Sequence, residues 1–219
     1  MSTSETKSSE KRGKNAEVVA RALEALRRGE VIVFPTETFY GLGADALDQA
    51  AVERLVSLKG RNPDNPIPII VADLEMLRRV VTAVPAIAET LIDRFWPGPL
   101  TLVLPAIRSL PAPLLNRTRG VGVRISSHPL AAQLTRELGR PLTATSANPS
   151  GMEPARAVEE AVHYFSDKIE IFLDGGRLEG TKGSTVMEVA EDSWRIIREG
   201  EISSLEIKKS LQSRQGVES

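Results

Sequence analysis

The sequence predicts an α/β protein built around a mixed β-sheet. Short apolar runs of strand character alternate with helical segments in the first part of the chain, and strand-like runs are concentrated later. The composition agrees with this, because 219 residues with 41% apolar and 26% charged side chains suit one globular domain with a substantial core.

The order of the first elements is predicted to be helix, strand, helix, strand. Apolar residues recur at helical spacing over Ala16–Leu26, and Gly29 follows where a helix should end. The short apolar run Val31–Phe34 precedes a proline and predicts a buried strand. A second helix is predicted over Asp48–Leu58 and a second buried strand over Ile67–Ala72.

The rest of the chain continues the mixture and ends in a hairpin through the polar turn at 191–193. Residues 1–14 are expected to form a disordered N-terminal tail, 15–203 the domain, and 204–219 a C-terminal tail. The remaining predicted helices are Leu74–Val81, Ala86–Phe95, His128–Leu138 and Ala157–Phe165, and the remaining strands are Thr101–Leu104, Gly120–Ile125, Leu142–Thr145, Ile169–Leu173, Ser184–Val189 and Trp194–Arg198.

Composition excludes several classes of function. The net charge of −1 gives no overall electrostatic attraction for nucleic acid, so such binding would need a local patch. Cysteine is absent, which removes disulfides, thiolate catalysis and sulfur-ligated zinc. His128 and His163 are the two histidines, so a histidine-based metal site is not expected. No signal-peptide core or membrane-length apolar run occurs, and cytoplasmic localisation is the expectation.

Four polar loops lie beside predicted strands: 35–43, 59–66, 145–151 and 180–185. Ligands of open α/β sheets bind at strand ends, so several of these loops are predicted to meet at one cleft. Lys59 and Arg61 form a cation pair suited to phosphate or carboxylate. The alternative is a solvated helix C-terminus, where basic residues favour the helix dipole.

The other polar loops also have two readings. Ser146 and Asn148 follow a strand and can face a ligand, but Ser, Asn, Pro and Gly are also the usual residues of a self-satisfied turn. Thr38, with its neighbours at 36 and 37, offers hydroxyls and a carboxylate at a strand end, or a simple turn. Arg124 either faces solvent or pairs an anion in a cleft, and Arg198 is either a site residue or an edge-strand charge.

A phosphate-binding P-loop is rejected at 180–185. Ser184 follows a Thr-Lys-Gly sequence, but the spacing between the glycines is wrong and a strand rather than a helix is predicted next. No Ser/His/Asp set and no convincing carboxylate pair occurs elsewhere. The residues alone therefore indicate an α/β protein with an anion-binding cleft.

Several segments taken together resemble the YrdC/Sua5 family. They are VIVFPTETFYGLGADAL, the Lys-x-Arg at 59–61, WPGPLTLVL, VGVRI followed by LTATSANPSG, GSTVMEV and IIREGEIS, in that order. The resemblance covers roughly residues 16–203, and the chain is similar to the short, single-domain form of the family. It implies one YrdC-like domain, a strongly curved mixed β-sheet flanked by helices, with its concave face as the active site.

The resemblance also implies an activity, L-threonylcarbamoyladenylate synthesis. L-threonine, bicarbonate and ATP would yield threonylcarbamoyl-AMP and pyrophosphate, with Mg²⁺ held by the ATP phosphates and not by protein side chains. The product would supply the modification of adenosine 37 in tRNA, through downstream proteins that transfer the threonylcarbamoyl group.

The family's Lys-x-Arg and Ser-x-Asn tetrad corresponds here to Lys59, Arg61, Ser146 and Asn148, which the resemblance makes catalytic. The same resemblance assigns ATP contacts and threonine contacts. For ATP they are Arg61, Asn65, Ser146 and Arg198, and for threonine Thr38, Arg124, Ser184 and the backbone near Ala144.

Two departures from the family pattern concern the loop after the second helix and the following strand. Asn62 stands where many members have proline, and Ile70 stands where some members have a histidine that contacts threonine. Two other functions fit the same residues: a YciO-like paralogue that binds nucleotide, and a module that binds double-stranded RNA or tRNA through a local basic face.

Overall fold

A computed structural model describes residues 16–60 and 65–215, with side chains as far as residue 212. The expected N-terminal tail, 1–14, lies outside these residues. The helices are 16–27 (α1), Gln49–Lys59 (α2), Leu74–Arg78 (α3), Ala86–Phe95 (α4), Pro129–Leu138 (α5), Val158–Phe165 (α6) and Ser204–Gln215 (α7). The strands are Ile32–Pro35 (β1), Tyr40–Gly43 (β2), Ile69–Ile70 (β3), Leu100–Pro105 (β4), Gly120–Arg124 (β5), Leu142–Thr143 (β6), Thr145–Ser146 (β7), Thr185–Val189 (β8) and Trp194–Arg198 (β9).

The strands form two ladders that share one segment of chain. One ladder has the order β1-β2-β7 and the other β6-β3-β5-β4-β8-β9, with parallel pairs at β3/β5 and β4/β8. The segment 141–147 joins them, because Thr143 N donates to Ala44 O at 2.9 Å and Ala144 N donates to Pro68 O at 2.9 Å. The result is one bent mixed sheet, which confirms the predicted fold class.

Two apolar clusters hold the helices against this sheet. The larger contains residues of α2, α4 and the central strands, including Leu55, Leu91 and Leu102, all fully buried. The smaller joins α1 and α5 to β1, through residues such as Leu26 and Leu134. Burial of one such side chain stabilises the fold by about 1.5–3 kcal/mol, so the clusters fix the strand ends that carry the polar loops.

Helix ends next to the polar loops are set by local sequence. The Asp48 side chain accepts hydrogen bonds from Ala50 N and Ala51 N and begins α2. Gly60 ends the helix with a left-handed φ of 59°, a conformation that glycine adopts without strain. Lys59 is therefore the last helical residue, and its side chain is directed by a defined helix end.

The hairpin β1–β2 differs from the prediction, which treated residues 35–43 as a loop. Tyr40–Gly43 is a strand that pairs antiparallel with Ile32–Pro35. A Cβ atom on Gly43 would lie 2.9 Å from Cε1 of Phe34, and one on Gly41 would lie 3.2 Å from the same atom. The two glycines are thus required by the Phe34 ring that packs across them.

Two further segments correct the expected elements. The predicted strand Ile169–Leu173 contributes a single parallel bridge between Phe172 and Val33, since only the backbone around Val33 pairs with it. The expected C-terminal tail, 204–219, is wrong as far as Gln215, because Ile207 is fully buried and Leu211 packs on the larger cluster. No helix among the described residues has the length and apolar character to cross a membrane.

Candidate active site

Ends of strands from both ladders surround a cavity of about 210 Å³. Thr38, in the β1–β2 turn, closes one side, and Ser146 at the end of β7 lies beside it. The opposite side comes from the second ladder, at the ends of β5, β8 and β9. The lining residues are Thr36, Thr38, Phe39, Tyr40, Gly41, Pro68, Arg124, Ala144, Thr145, Ser146, Pro154, Gly183, Ser184, Arg198 and Glu199.

The β1–β2 turn presents Thr38 to the cavity. Thr36 Oγ1 donates to Phe39 O at 2.7 Å and accepts from Thr38 N at 3.2 Å, so Thr36 fixes the turn. The Thr38 side chain lies 3.2 Å from Thr36 Oγ1, and its hydroxyl is at the cavity wall. Both readings of this loop therefore hold, with Thr36 as the turn residue and Thr38 as the residue that can contact a ligand.

Arg124 lies in the cleft and does not face bulk solvent. Its side chain is 4% exposed, and its Nε donates to Glu37 Oε1 at 2.8 Å. The second carboxylate oxygen of Glu37 accepts from the Ser126 hydroxyl. Burial alone would raise the pKa of Glu37, but the positive charge of Arg124 and the hydrogen bond from Ser126 outweigh it and lower that pKa. Glu37 is therefore ionised at neutral pH.

Ser184 and Arg198 meet on the side of the cavity that β8 and β9 form. The Ser184 hydroxyl accepts a hydrogen bond from Thr101 Oγ1 at 2.9 Å, and Arg198 donates through an Nη atom to Ser184 O at 2.8 Å. Desolvation lowers the pKa of Arg198, and the nearby charge of Arg124 lowers it further. Two guanidinium groups thus lie at the wall of one cavity, where their like charges favour an anionic ligand.

Lys59 does not line the cavity but stabilises the 146–150 turn. Its Nζ donates to Ser146 O at 2.6 Å and to Asn148 O at 2.9 Å. Asn148 Nδ2 donates to Pro149 O and to Met152 O, at 3.0 and 2.6 Å. Asn148 therefore satisfies its own turn, whereas Ser146 reaches the cavity wall.

The structure brings six of the ten predicted site residues to the cavity wall, and Lys59 and Asn148 into hydrogen bonds with Ser146 at that wall. Asn65 is described but does not line the cavity. Arg61 lies outside the described residues, as does Asn62. Ile70 is fully buried in the smaller apolar cluster and does not line the cavity either. The six at the wall are Thr38, Arg124, Ala144, Ser146, Ser184 and Arg198.

Ser126 and Thr101 are site residues that the sequence does not predict. For Glu37 the sequence predicts a loop carboxylate at a strand end but not its partner, because the pairing with Arg124 spans 87 residues and no local spacing signals it. Thr101 belongs to a strand that reads as apolar core. Among the residues that the structure describes, no group of three or more His, Asp or Glu side chains could hold a metal ion.

Comparison with known proteins shows the family of this chain. The Sua5/YciO/YrdC family model, described as "Telomere recombination", matches residues 24–200. The chain belongs to the Sua5/YciO/YrdC family. This confirms the resemblance found in the sequence.

Relatives in this family include named threonylcarbamoyl-AMP synthases. That of Pyrococcus abyssi is 41% identical over 186 residues, which are 85% of this chain and 55% of the relative. That of Bacillus subtilis is 39% identical over 191 residues, 87% of this chain and 55% of the relative. This chain thus spans little more than half of the length of these two relatives. A putative threonylcarbamoyl-AMP synthase of Mycobacterium tuberculosis is 37% identical over 193 residues, 88% of each chain.

Solved structures of the same family share the fold. P. abyssi Sua5 complexed with L-threonine superposes with a TM-score of 0.85 at 38% identity, covering 90% of this chain and 58% of that one. Escherichia coli YciO superposes with a TM-score of 0.77 at 30% identity, covering 85% of this chain and 91% of that one. The bent mixed sheet is therefore the family's fold.

Proposed function

We propose that this protein is an L-threonylcarbamoyladenylate synthase, an enzyme of the nucleotidyltransferase class. It would convert L-threonine, bicarbonate and ATP to threonylcarbamoyl-AMP and pyrophosphate. The observation that supports this best is the cavity itself, in which a buried arginine held by a carboxylate stands beside hydroxyls from three separate strand ends. The L-threonine complex of P. abyssi Sua5 adds support, since that chain has the same fold.

The threonine subsite is proposed at Arg124, Ser184, Thr38 and the backbone near Ala144. Of the three guanidinium nitrogens of Arg124, only Nε has a hydrogen-bond partner among the described residues. The two Nη groups are therefore left for a carboxylate. A planar fork of donors suits a carboxylate well. The hydroxyls of Thr38 and Ser184 can serve the polar groups of the amino acid.

The nucleotide is proposed to lie towards Ser146 and Arg198, with Asn65 and Arg61 contributing from the loop after α2. Lys59 would act by fixing the 146–150 turn. Of the described residues that line the cavity, only Glu199 carries a carboxylate, so Mg²⁺ would be held mainly by the ATP phosphates. When bound there, the ion neutralises phosphate charge.

The proposed reaction needs positioning and charge stabilisation and no covalent nucleophile. The threonine amine attacks the carbon of bicarbonate and a water molecule leaves, which gives a carbamate. A carbamate oxygen then attacks the α-phosphorus of ATP, and the bond to the β-phosphate oxygen breaks to release pyrophosphate. Arg198 would stabilise charge that develops on the phosphates, together with Arg61, which the family resemblance assigns to ATP.

The proposed product is an activated intermediate for tRNA modification at adenosine 37, in the cytoplasm. Downstream proteins would transfer the threonylcarbamoyl group to tRNA.

A pyrophosphate-release assay tests the proposal. Purified protein is incubated with ATP, bicarbonate and Mg²⁺, with or without L-threonine, and the product is identified by mass. Threonine-dependent release together with the mass of threonylcarbamoyl-AMP is the expected result. Release without any dependence on threonine, or no release at all, would contradict the proposal.

A second candidate is a YciO-like protein that binds nucleotide. The favouring observation is the shared fold, because this chain superposes on E. coli YciO with a TM-score of 0.77 at 30% identity. ATP binding with threonine-independent turnover would support this candidate. Absence of turnover, with salt-sensitive binding of double-stranded RNA, would instead support an RNA-binding module.

A further inference from the structure

Glu37 is a buried carboxylate that lies beside the cavity without lining it. Its side chain is 9% exposed, and the described cavity wall includes its neighbours at 36 and 38. Both carboxylate oxygens are used: one accepts from Arg124 Nε at 2.8 Å and the other accepts from the Ser126 hydroxyl. Glu37 is therefore placed to act on the site through Arg124.

Ser126 holds Glu37 from the opposite side. The hydroxyl of Ser126 donates to Glu37 and accepts from His128 N at 3.2 Å. His128 is in turn fixed as the N-cap of α5, where its Nδ1 accepts from Leu130 N. The carboxylate is thus anchored to the start of a helix and cannot follow Arg124 if that side chain moves.

The orientation of Arg124 follows from this anchoring. A guanidinium on a long, flexible side chain loses rotamer freedom when it binds a ligand, and a fixed partner removes that loss in advance. Glu37 accepts a hydrogen bond from Nε of Arg124, and the Nη groups of Arg124 have no partner among the described residues. The two Nη groups, which carry the other four N–H donors, are therefore left as a fork for a ligand in the cavity that Arg124 lines.

We propose that Glu37 is a positioning residue that directs the Arg124 fork at the carboxylate of the amino-acid substrate. The inference rests on the proposed function, because it assigns Arg124 to the amino-acid subsite. It predicts selectivity at one chemical group: ligands with a carboxylate depend on Glu37, and analogues without one do not.

The test compares binding of L-threonine and L-threoninol, which lacks the carboxylate, by calorimetry on the full chain. We expect E37Q to weaken L-threonine binding by about tenfold or more, since a misdirected binding group costs on the order of 10–10². L-threoninol binding should change less than about threefold. E37D keeps the charge but is one methylene shorter, and we expect an intermediate loss.

Asp45 provides a matched control. Its side chain is 4% exposed and pairs with Arg140, but it does not line the cavity. D45N removes a buried carboxylate without touching Arg124, and L-threonine affinity should be retained. Kinetics add a second readout, in which E37Q raises the KM for threonine but leaves the KM for ATP unchanged.

Four outcomes would overturn the inference. An E37Q variant that binds L-threonine like the wild type, or that loses both ligands equally, contradicts a role through the carboxylate. Equal losses in E37Q and D45N would assign the effect to general destabilisation. A wild-type protein that binds neither ligand would overturn the proposed function as well, so the two failures are distinguishable.

Discussion

At the scale of single residues, Thr101 determines how the Ser184 hydroxyl is used. Thr101 is fully buried, and among the described residues its hydroxyl makes one hydrogen bond, the 2.9 Å bond that it donates to Ser184 Oγ. Because Ser184 accepts from Thr101, its own hydrogen is available to a ligand in the cavity. A buried strand threonine thus orients a polar group that is 83 residues away in sequence.

The isosteric variant T101V should weaken threonine binding. Valine keeps the shape but removes the donor, so the Ser184 hydroxyl can rotate away from the ligand. One neutral hydrogen bond contributes about 0.5–1.5 kcal/mol, and we expect the KM for threonine to rise by about 2- to 10-fold. T101S retains the hydroxyl and serves as the control. Equal kinetics for T101V and T101S would contradict this role.

Glu37 also makes stability depend on pH. Its pKa in the folded state lies below the ordinary value of 4.5, because Arg124 and Ser126 outweigh desolvation. A carboxylate of this kind stabilises the fold fully above its unfolded pKa and loses that contribution as the pH falls through the folded pKa. Burial lowers the pKa of His128 from 6.5, although Glu37 opposes this, and protonation of His128 in acid also favours unfolding.

Urea titrations at pH 7 and at about pH 4 separate the contribution of Glu37. We expect the free energy of unfolding of the wild type to fall more between these pH values than that of E37Q, which has no titrating carboxyl. Because the Glu37 charge raises the pKa of His128, this histidine does not contribute equally in the two proteins, and the comparison is therefore made in an H128Q background. An equal fall in both proteins would show that the Glu37–Arg124 pair does not stabilise the fold.

At the scale of elements, the helices were easier to predict than the short strands. Periodicity gave α4 at Ala86–Phe95 with the bounds that the structure has, because ten residues carry a clear apolar stripe. Strand β2 was missed because Gly41 and Gly43 read as turn residues. Their reason is the Phe34 ring on the neighbouring strand, a contact that no local pattern contains.

Helix α7 was not predicted, because its sequence is too polar to show an apolar stripe. Its sequence, SLEIKKSLQSRQ, is polar on average, and its buried contacts are Ile207 and, partly, Leu211, four residues apart. Helices this polar gain their stability from packing, here mainly on α4. The sequence average therefore indicated a tail, whereas one well-placed isoleucine decides the structure.

The variant I207A should destabilise the protein clearly. Removing a fully buried isoleucine costs about 2–5 kcal/mol through lost burial and the cavity that remains. L205A, at a position that is 59% exposed in the same helix, should change the free energy of unfolding by less than about 0.5 kcal/mol. Urea denaturation of both variants measures the difference, and similar midpoints would contradict the packing of α7.

At the scale of the whole molecule, the sequence predicts that distant loops meet at one cavity, but it does not predict which of their side chains contact each other. The rule that strand ends share an edge of a sheet predicted that four polar loops meet, and Thr38, Ser146 and Ser184 from three of them do line one cavity. Asn65, from the fourth loop, does not line it, and the rule left the direction of Arg124 open. Which side chains face the ligand depends on contacts across the chain. Asn148 illustrates this, since its amide is consumed by carbonyls one and four residues further along the chain.

Because the cavity wall comes from both ladders, a bound ligand should stabilise the entire fold. L-threonine at 100 times its Kd would add about 2.7 kcal/mol to the free energy of unfolding. For a chain of this length that corresponds to a rise in Tm of about 5–10 °C. Thermal unfolding with and without L-threonine measures this rise.

Two arginine variants show whether that rise depends on the cavity. R124M removes the proposed carboxylate partner, and we expect the threonine-induced rise in Tm to disappear, whatever the starting Tm of the variant. Arg140 also pairs with a buried carboxylate, Asp45, but it is half-exposed and lies off the cavity wall. R140M should therefore keep the full rise. If the threonine-induced rise in Tm persists in R124M, the threonine carboxylate binds elsewhere. If the rise is lost in both variants, the loss of binding results from general weakening of the fold.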